Sequence, residues 1–357
     1  MTRAVLESRY QRILDRLTQL QVKVRPPSEA DRFQEGPAFC IYRVVPEQGM
    51  ATDRVMGRLE DMKLALELPR ELNLRAYVDR GSVVIEVPKE PADRYYVTAQ
   101  HLWDATTPDP DALSVPIGED IEGRTVSIDF SSPDTPHLLI AGQTGSGKSI
   151  ALESILAGLC HMKTPAELRL LLVDPKSTEL VDFSDDPHLL GEIGWDSADA
   201  IEILDQGLAE MERRYDAFRT RKVRTLPDFN RAADDHKGRL PWWVIVLDEY
   251  ADLTSDGEDR KAIEQRLKRL AQKGRAAGVH LIVATQKPAA EVISTVIRSN
   301  LPAQLGLRVK TATDSRIILD ESGAEALAGS GDAFLKTARG MQRLQCAKVS
   351  RATQEDS

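Results

Sequence analysis

Cysteine is scarce in this sequence, and no apolar segment is long enough to cross a membrane. The 357 residues include only Cys40, Cys160 and Cys346, which are scattered and show no paired spacing. So few cysteines cannot crosslink a chain of this length, which excludes a disulfide scaffold and favours a reducing compartment. A membrane-spanning helix needs roughly 20 consecutive apolar residues, and a signal peptide needs an apolar core. Because the sequence has neither, we expect a cytoplasmic protein without a membrane partner.

Positive charge is also in deficit. Lys and Arg number 47 against 56 Asp and Glu, so the formal charge is −9. This balance excludes a protein that coats nucleic acid with a uniformly basic surface, and any polyanion must be met by a local patch. With 41% hydrophobic and 29% charged residues, the chain has the composition of a globular protein. Its length favours two domains.

The first part of the chain contains short helical and strand patterns. Apolar residues between positions 5 and 20 recur at three- and four-residue steps, as on one face of a helix. Further patterns indicate a helix over 50–66 and strands over 38–45, 74–78 and 81–88. We therefore predict a small α+β domain over residues 1–105.

A polar, proline-containing segment at 106–110 suits a linker, and we assign 106–135 to the linker and an entry strand. Beyond it, apolar strands alternate with helical segments, which is typical of a mainly parallel sheet covered by helices on both faces. The predicted strands are 137–141, 168–173, 243–247, 279–284 and 304–309. This α/β domain is predicted over 136–350, and a loose tail over 351–357.

A glycine-rich loop carries the strongest functional signal. The run Gly142-Gln-Thr-Gly-Ser-Gly-Lys-Ser149 follows a predicted strand and opens a predicted helix, which is the P-loop pattern in its expected setting. Its glycines let successive backbone N–H groups point at phosphate oxygens, and the helix N-terminus adds positive potential. Lys148 is predicted to reach the β- and γ-phosphates of ATP, and Ser149 to offer its hydroxyl to Mg²⁺. The residues predicted to bind nucleotide are Gly142, Gln143, Thr144, Gly145, Ser146, Gly147, Lys148, Ser149 and Ile150.

Two carboxylates, Asp248 and Glu249, directly follow a second apolar strand. At the carboxyl end of a parallel strand, we expect Asp248 to hold the water shell of Mg²⁺ and Glu249 to orient and polarise the attacking water. An acidic pair alone is more often an ordinary turn. Because a P-loop lies upstream, we favour a functional acidic pair over an ordinary turn here. The second carboxylate favours nucleotide hydrolysis over nucleotide binding alone.

A third predicted strand ends in Thr285 and Gln286, and the amide of Gln286 is a candidate sensor of the γ-phosphate. His137 and His280 lie in strand patterns without an evident partner, so we interpret both as structural. The segment 259–275 combines apolar residues at helical spacing with many Lys and Arg. It predicts a helix with one buried face and one strongly cationic face, the ordinary alternative being a solvated basic surface.

Several short motifs together resemble the FtsK/SpoIIIE DNA translocases. They include Asp174-Pro-Lys176, Pro187-His-Leu-Leu190, Asp248-Glu-Tyr-Ala-Asp252, Ala271–Gly278, Ala284-Thr-Gln-Lys-Pro288 and Asp314-Ser-Arg316. The resemblance covers about residues 136–349, and the first hundred residues look like the smaller α domain of the same motors. It implies a RecA-like P-loop NTPase fold and a ring, typically a hexamer, that hydrolyses ATP and pulls double-stranded DNA through its pore.

The resemblance also implies roles for several cations. Arg275 matches the family's arginine finger, which enters the neighbouring subunit's site and neutralises charge on the transferred phosphoryl group. Positions that match the family's pore-facing DNA contacts are Lys287, Arg298 and Arg316, and Lys310 lies on the last of these loops. Relatives often carry a lysine where this chain has Ala312, so Lys310 is a candidate substitute. Such side chains bind phosphate rather than read bases, which makes the grip salt-sensitive and largely sequence-independent.

Full-length members of the family usually add N-terminal membrane helices and a C-terminal winged-helix domain, and this sequence contains neither. We therefore expect a free-standing motor, or the motor portion of a longer protein, recruited by DNA or by a protein partner. Two alternatives stay open: a secretion- or conjugation-type ATPase that moves protein or protein–DNA complexes, and a non-hydrolytic nucleotide-binding scaffold. The motif 314–316 and the α-like first domain favour DNA, and Glu249 argues against the scaffold.

Overall fold

The contacts within the chain divide it into two units. The computed structural model describes residues 1–233 and 238–350, so the predicted tail at 351–357 lies outside the described residues. The smaller unit comprises Met1–Val97 with Glu119–Arg124, and the larger comprises Thr98–Gly118 with the described residues from Thr125 onward. No helix in these ranges is long and apolar enough to cross a membrane.

The smaller unit is built on an antiparallel sheet. Its elements are α1 (Arg3–Gln19), β1 (Val24–Arg25), β2 (Phe33–Glu35), β3 (Phe39–Pro46), α2 (Thr52–Met56), α3 (Leu59–Ala65), β4 (Arg75–Asp79) and β5 (Ser82–Pro88). The strand order is β1-β3-β5-β4, with β2 also paired to β3. The single helix predicted over 50–66 is two helices in the structure, and Gly57 is the C-cap residue of the first.

The remaining strands and α-helices of the described ranges belong to the larger unit, except for Glu119 and Asp120 at the end of its first strand. They are α4 (Ala99–Asp104), β6 (Ser114–Asp120), β7 (Thr125–Asp129), β8 (His137–Ala141), α5 (Lys148–Met162), β9 (Leu168–Val173), α6 (Ser197–Arg221), α7 (Leu226–Arg231), β10 (Trp242–Leu247), α8 (Tyr250–Leu253), α9 (Gly257–Ala277), β11 (Val279–Thr285), α10 (Thr295–Asn300), β12 (Ala303–Leu307), α11 (Ala312–Leu319), β13 (Asp332–Thr337) and β14 (Gly340–Cys346). Within the described ranges they include one sheet of nine strands in the order β7-β6-β14-β13-β12-β8-β11-β10-β9.

Five neighbouring strands of this sheet, β12, β8, β11, β10 and β9, run parallel. The register places Leu247 opposite Val173 and Val283, and Ala141 opposite Thr285 and Gly306. The carboxyl ends of all five strands therefore meet at one side, which we call the carboxyl edge, and their starts form the amino edge. Because β13 pairs antiparallel with both β12 and β14, the sheet is mixed, and the predicted α/β fold is confirmed.

Apolar side chains of the parallel strands alternate between two cores. In β8, Leu138 and Ile140 belong to one buried cluster, while Leu139 and Ala141 belong to the other. Leu152 and Leu156 of α5 pack into the first cluster, and residues of α6 and α9 pack into the second. This arrangement explains the continuous apolar runs in the sequence, since a parallel strand covered on both faces has no solvent side.

The segment predicted as linker and entry strand, 106–135, forms β6 and β7. Val115, Ile117, Val126 and Ile128 are buried in the first core cluster. The alternation of these residues pairs the two strands with the sheet, although the proline-containing residues before them suit a loop. The contacts also place the division between units after Val97 rather than after residue 105.

Two buried histidines predict a loss of stability in mild acid. His137 Nε2 lies 3.1 Å from the Ala271 carbonyl and His280 Nδ1 lies 2.9 Å from the Pro136 carbonyl. Burial lowers the pKa of His137 to about 3 and that of His280 to about 4. Below pH 6.5 both histidines bind protons in the unfolded chain but stay neutral in the folded chain. The free energy of unfolding therefore decreases as the pH falls. We expect each to lower the free energy of unfolding by about 2 kcal/mol between pH 7 and pH 5.

Urea unfolding of His280→Asn between these pH values measures this effect. The variant is expected to lose about half of the acid sensitivity that the two histidines produce. His101→Asn, at an exposed position, is the matched control and should keep the wild-type pH dependence. Equal pH dependence in the wild type and His280→Asn would contradict the prediction.

Candidate active site

The glycine-rich loop lies at the carboxyl edge, between β8 and α5. Gly145 and Gly147 have φ of +79° and +101°, and Gly147 is the N-cap residue of α5. A Cβ on Gly147 would lie 2.5 Å from the Gly331 nitrogen. Glycine is therefore required here both by the left-handed backbone and by the close approach of another segment. The free N–H groups of the first turn of α5 open onto this loop.

The loop is fastened by three neighbouring segments. Gly142 N–H donates to the Thr285 carbonyl at 3.3 Å and Gln143 N–H to the Arg308 carbonyl at 2.9 Å. The Ser146 carbonyl accepts from the Gly331 N–H at 2.8 Å. The ends of β11 and β12 and the turn before β13 thus hold the loop's conformation. In the sequence, the glycine-rich run at 329–331 is the feature that indicates the contact between Gly331 and Ser146.

Lys148 and Asp248 form a buried ion pair. Lys148 Nζ lies 2.5 Å from Asp248 Oδ1, and the two side chains are 2% and 1% exposed. Asp248 Oδ2 is also buried and has no hydrogen-bond partner within the described ranges. A buried carboxylate oxygen without a partner, beside a P-loop, suits a divalent cation. The structure thus brings together two residues that the sequence separates by a hundred positions.

Glu249 turns its side chain inward from the end of β10. Its backbone has a φ of +40°, in the left-handed region, and the residue is fully buried. Oε1 accepts from the Thr285 hydroxyl at 3.0 Å and from the Gln286 N–H at 3.1 Å. Oε2 accepts from Lys176 Nζ at 2.9 Å. The carboxylate is therefore held between the ends of β9 and β11.

Gln286 links the glycine-rich loop to this acidic pair. Its side-chain oxygen accepts a hydrogen bond of 2.9 Å from the Thr144 hydroxyl, and its backbone N–H donates to Glu249. Both contacts follow from topology, since β11 lies between β8 and β10 in the sheet. A side chain directly after β11 is therefore placed between the loop and the acidic pair.

Lys176 and Thr285 both contact Glu249, and the sequence predicted no role for either of them. Lys176 belongs to the Asp174-Pro-Lys176 motif after β9, the strand next to β10. Burial alone lowers the pKa of Lys176, but its hydrogen bond to Glu249 and the nearby Asp252 and Asp248 raise it above the usual value. The signal available in the sequence was its place after a parallel strand adjacent to the acidic pair.

Arg275 lies away from the glycine-rich loop of its own chain. It occupies the last turn of α9, two residues before that helix ends, and β11 starts directly afterwards at the amino edge. Its side chain is exposed, and Nε donates to the Ser131 carbonyl at 3.2 Å. The full length of β11 separates it from the carboxyl edge, so this structure does not bring Arg275 to its own P-loop.

Acidic side chains neutralise part of the cationic face predicted for 259–275. Arg266 pairs with Asp205 at 2.8 Å and Arg269 with Glu212 at 2.9 Å, both across to α6. Arg260 pairs with Glu264 on its own helix. The prediction of a helix with one buried face agrees with the structure, but α6 reduces the free positive charge on the other face.

The four candidate DNA-contacting cations differ in their surroundings. Lys287 pairs with Asp252 at 3.0 Å and Arg298 with Asp320 at 2.8 Å. Lys310 and Arg316 are exposed, and their side chains have no ionic or hydrogen-bonding partner in the described part of the chain. Lys287 and Lys310 follow strands that end at the carboxyl edge, whereas Arg298 precedes β12. The structure thus leaves two of the four cations free and satisfies the other two.

Comparison with known proteins finds curated relatives that align with most of this chain. The "DNA translocase FtsK" of Streptococcus pneumoniae is 36% identical over 315 residues, which is 86% of this chain and 40% of that protein. The protein of the same name from Staphylococcus aureus is 36% identical over 313 residues, 85% of this chain and 39% of its own. The chain therefore spans about two fifths of the length of these curated relatives.

Two solved structures share the fold. The pCW3 conjugation coupling protein TcpA, in a monomer form with ATPgS, aligns with a TM-score of 0.65 and 21% identity over 96% of each chain. The type VII secretion ATPase EccC of Thermomonospora curvata aligns with a TM-score of 0.63 and 27% identity over 74% of this chain and 33% of the other. The profile of the FtsK/SpoIIIE family matches residues 99–290, which include the glycine-rich loop and the acidic pair. Because that match covers more than half of the 357 residues, the chain belongs to the FtsK/SpoIIIE family.

Proposed function

We propose that the protein is an ATP hydrolase that moves double-stranded DNA. The observation that carries the proposal is the buried contact between Lys148 of the P-loop and Asp248, directly beside Glu249. Relatives named DNA translocase FtsK extend over 86% and 85% of this chain. That match supports DNA as the substrate.

Different groups of the P-loop are proposed to bind the phosphates and the Mg²⁺ ion. Those backbone N–H groups of 144–150 that have no partner within the described fold, together with the N-terminus of α5, are proposed to receive the phosphates of ATP, with Lys148 leaving Asp248 to contact the β- and γ-phosphates. The Ser149 hydroxyl and Asp248 are the proposed holders of Mg²⁺, which supplies charge neutralisation at the phosphates when bound. The unpartnered Oδ2 of Asp248 supports this assignment.

Glu249 and Gln286 are the residues proposed to act on the attacking water. Glu249 would orient and polarise it. Gln286 is proposed to sense the γ-phosphate, because its amide contacts Thr144 in the P-loop while its backbone contacts Glu249. A single short segment can thereby register whether nucleotide is bound and pass that state to the acidic residue.

Arg275 is proposed to act on the neighbouring subunit's nucleotide. Its place at the amino edge, with the P-loop of the same chain at the carboxyl edge, supports action in trans rather than in cis. A ring of subunits, which we propose to be a hexamer, gives every P-loop an Arg275 from the next subunit. We further propose the cytoplasm as the location, because it supplies ATP and suits three free cysteines.

The proposed DNA contacts are to phosphates. Lys310 and Arg316 are exposed and unpaired in the described ranges, so they can bind phosphate without first giving up an internal partner. Lys287 and Arg298 must exchange Asp252 and Asp320 for phosphate. We therefore propose that Lys310 and Arg316 supply most of the initial grip, which several subunits multiply.

The proposal predicts an ATPase that long duplex DNA accelerates. We expect the wild-type rate of phosphate release to rise about tenfold with long linear duplex at low salt and to lose this increase as salt is raised. A Lys310→Ala, Arg316→Ala double variant should keep the DNA-free rate, because neither side chain contacts the nucleotide site, and should lose most of the stimulation. Lys261→Ala, an exposed lysine of α9, is the matched control.

Three outcomes of this assay would contradict the proposal in different ways. Hydrolysis that is indifferent to DNA overturns the DNA substrate. Stimulation by peptide rather than DNA would favour a secretion-type motor, a possibility to which the likeness with EccC gives weight. Nucleotide binding without any hydrolysis, with no difference between the wild type and Glu249→Gln, would favour a scaffold.

A further inference from the structure

The side chain of Glu249 is occupied by donors from its own chain. Thr285 and Gln286 both donate to Oε1, and Lys176 Nζ donates to Oε2 at 2.9 Å. A lysine that donates to a carboxylate oxygen occupies the position from which that oxygen would accept a hydrogen bond from the attacking water. The proposed role of Glu249 in hydrolysis therefore requires the contact with Lys176 to open.

Lys176 has a second carboxylate within reach. Its Nζ lies 3.9 Å from Asp252 Oδ2, compared with 2.9 Å from Glu249 Oε2. The other oxygen of Asp252 accepts from Lys287 Nζ at 3.0 Å. Four side chains thus alternate in charge from Glu249 through Lys176 and Asp252 to Lys287. Each inner member is shared between two partners of opposite sign.

This row of charges runs from a buried position to solvent. Glu249 is fully buried, Lys176 and Asp252 are 37% and 35% exposed, and Lys287 is 64% exposed. The backbone supplies a second connection, because the Thr285 hydroxyl donates to Glu249 and also accepts from the Lys287 N–H at 3.1 Å. A phosphate in solvent can therefore reach one end of the row while the nucleotide site contains the other.

We propose that Lys176 and Asp252 form a relay that holds Glu249 inactive until a polyanion binds Lys287. The relay rests on the proposed function, in which Lys287 contacts a DNA phosphate and Glu249 orients water. A phosphate competes with Asp252 for Lys287. Once Asp252 has lost that cation, its charge draws Lys176 across, and Glu249 Oε2 becomes free for the water. Lys176 is a positioning residue in this scheme, since it contacts Glu249 and not the substrate.

The electrostatics suit an exchange of this kind. The hydrogen bond to Glu249 and the neighbouring acids outweigh the effect of burial and keep the pKa of Lys176 above its usual value. Lys176 therefore carries its charge near neutral pH in this arrangement. Moving a cation between two carboxylates whose oxygens lie 2.9 and 3.9 Å away needs only a change of side-chain rotamer.

The first test removes the lysine. Lys176→Met is expected to raise the DNA-free ATPase rate about tenfold, since Glu249 loses a charge-assisted hydrogen bond, and to leave the DNA-bound rate within about twofold. The ratio of the two rates then approaches one, while affinity for a fluorescent duplex, followed by anisotropy, stays unchanged. Lys176→Arg keeps the charge and should keep the stimulation. A merely structural role for Lys176 would lower both rates together.

The second test breaks the relay in the middle. Asp252→Asn retains a side chain of the same shape but no longer attracts Lys176 when Lys287 leaves. We expect a variant that binds duplex DNA, retains a low DNA-free rate and shows no stimulation. Lys261→Met on α9 is the control for the loss of an unrelated lysine and should show the wild-type ratio.

The outcomes separate the relay from the proposed function. A stimulated wild type with an unchanged ratio in Lys176→Met, or with equal losses of both rates, overturns the relay alone. Normal stimulation of Asp252→Asn also overturns it. A wild type that hydrolyses ATP but ignores DNA overturns the proposed DNA function, and the relay with it.

Discussion

Replacing Lys148 by methionine is expected to abolish ATP hydrolysis and also to destabilise the fold before any nucleotide is added. The rate should fall about 1,000-fold, because the charge proposed to contact the transferred phosphate is lost. The free energy of unfolding should fall by about 3 kcal/mol, because Asp248 is then a buried carboxylate without its cation. Urea unfolding of the nucleotide-free protein and a phosphate-release assay measure the two effects separately.

A double variant tests the physical cause of the second effect. Lys148→Met with Asp248→Asn removes both charges of the pair, which are 2% and 1% exposed. We expect most of the stability to return, since no charge is left buried alone, while hydrolysis remains absent. If the single variant is as stable as the wild type, the ion pair does not exist in solution without nucleotide.

Replacing Arg275 by alanine is expected to remove hydrolysis almost as completely, but in a way that another inactive variant can repair. An arginine supplied in trans is worth about 1,000-fold in rate. Mixed with Lys148→Met, the variant should regain activity, because a subunit with an intact P-loop then meets a neighbour with an intact Arg275. In an equal mixture about one quarter of the interfaces are complete.

The mixture discriminates between action in trans and action in cis. Two variants damaged in the same self-contained site give no recovery when mixed, and that result would contradict the assignment of Arg275. Arg269→Ala, on the same helix and paired with Glu212, is the control and should remain active by itself. Thermal unfolding should change little for either arginine variant, since both side chains lie at the surface.

Motifs formed by residues that are adjacent in the chain could be predicted from the sequence. The P-loop and the acidic pair each depend on a strand and the few residues after it, so their spacing identified them. The position of Gln286 next to both followed once β11 was recognised as a parallel strand. The roles assigned to these residues stay predictions, because they concern nucleotide and DNA, while their meeting at one edge is a property of the sheet.

Features that depend on distant pairing could not be predicted. Lys176 contacts Glu249 across 73 positions and Arg266 contacts Asp205 across 61. The residues around each partner give no indication of which distant residue it contacts. The sequence therefore predicted the cationic face of α9 but not the acidic residues of α6 that pair with it. Residues 106–135 were predicted as a linker and one entry strand, and the structure has two strands there, β6 and β7, after the polar, proline-containing residues 106–110.

The separation of the P-loop from Arg275 also limits the kinds of assembly that can work. In the proposed assembly, where Arg275 acts in trans, each subunit presents its carboxyl edge to one neighbour and its amino edge to another, so the contact joins two different surfaces. Such a head-to-tail contact has no built-in end: it closes when the rotation between subunits divides a full turn, and otherwise continues as a helical filament. A small change in the angle of this contact, without any change in the site residues, is therefore enough to convert a closed motor into an open fibre.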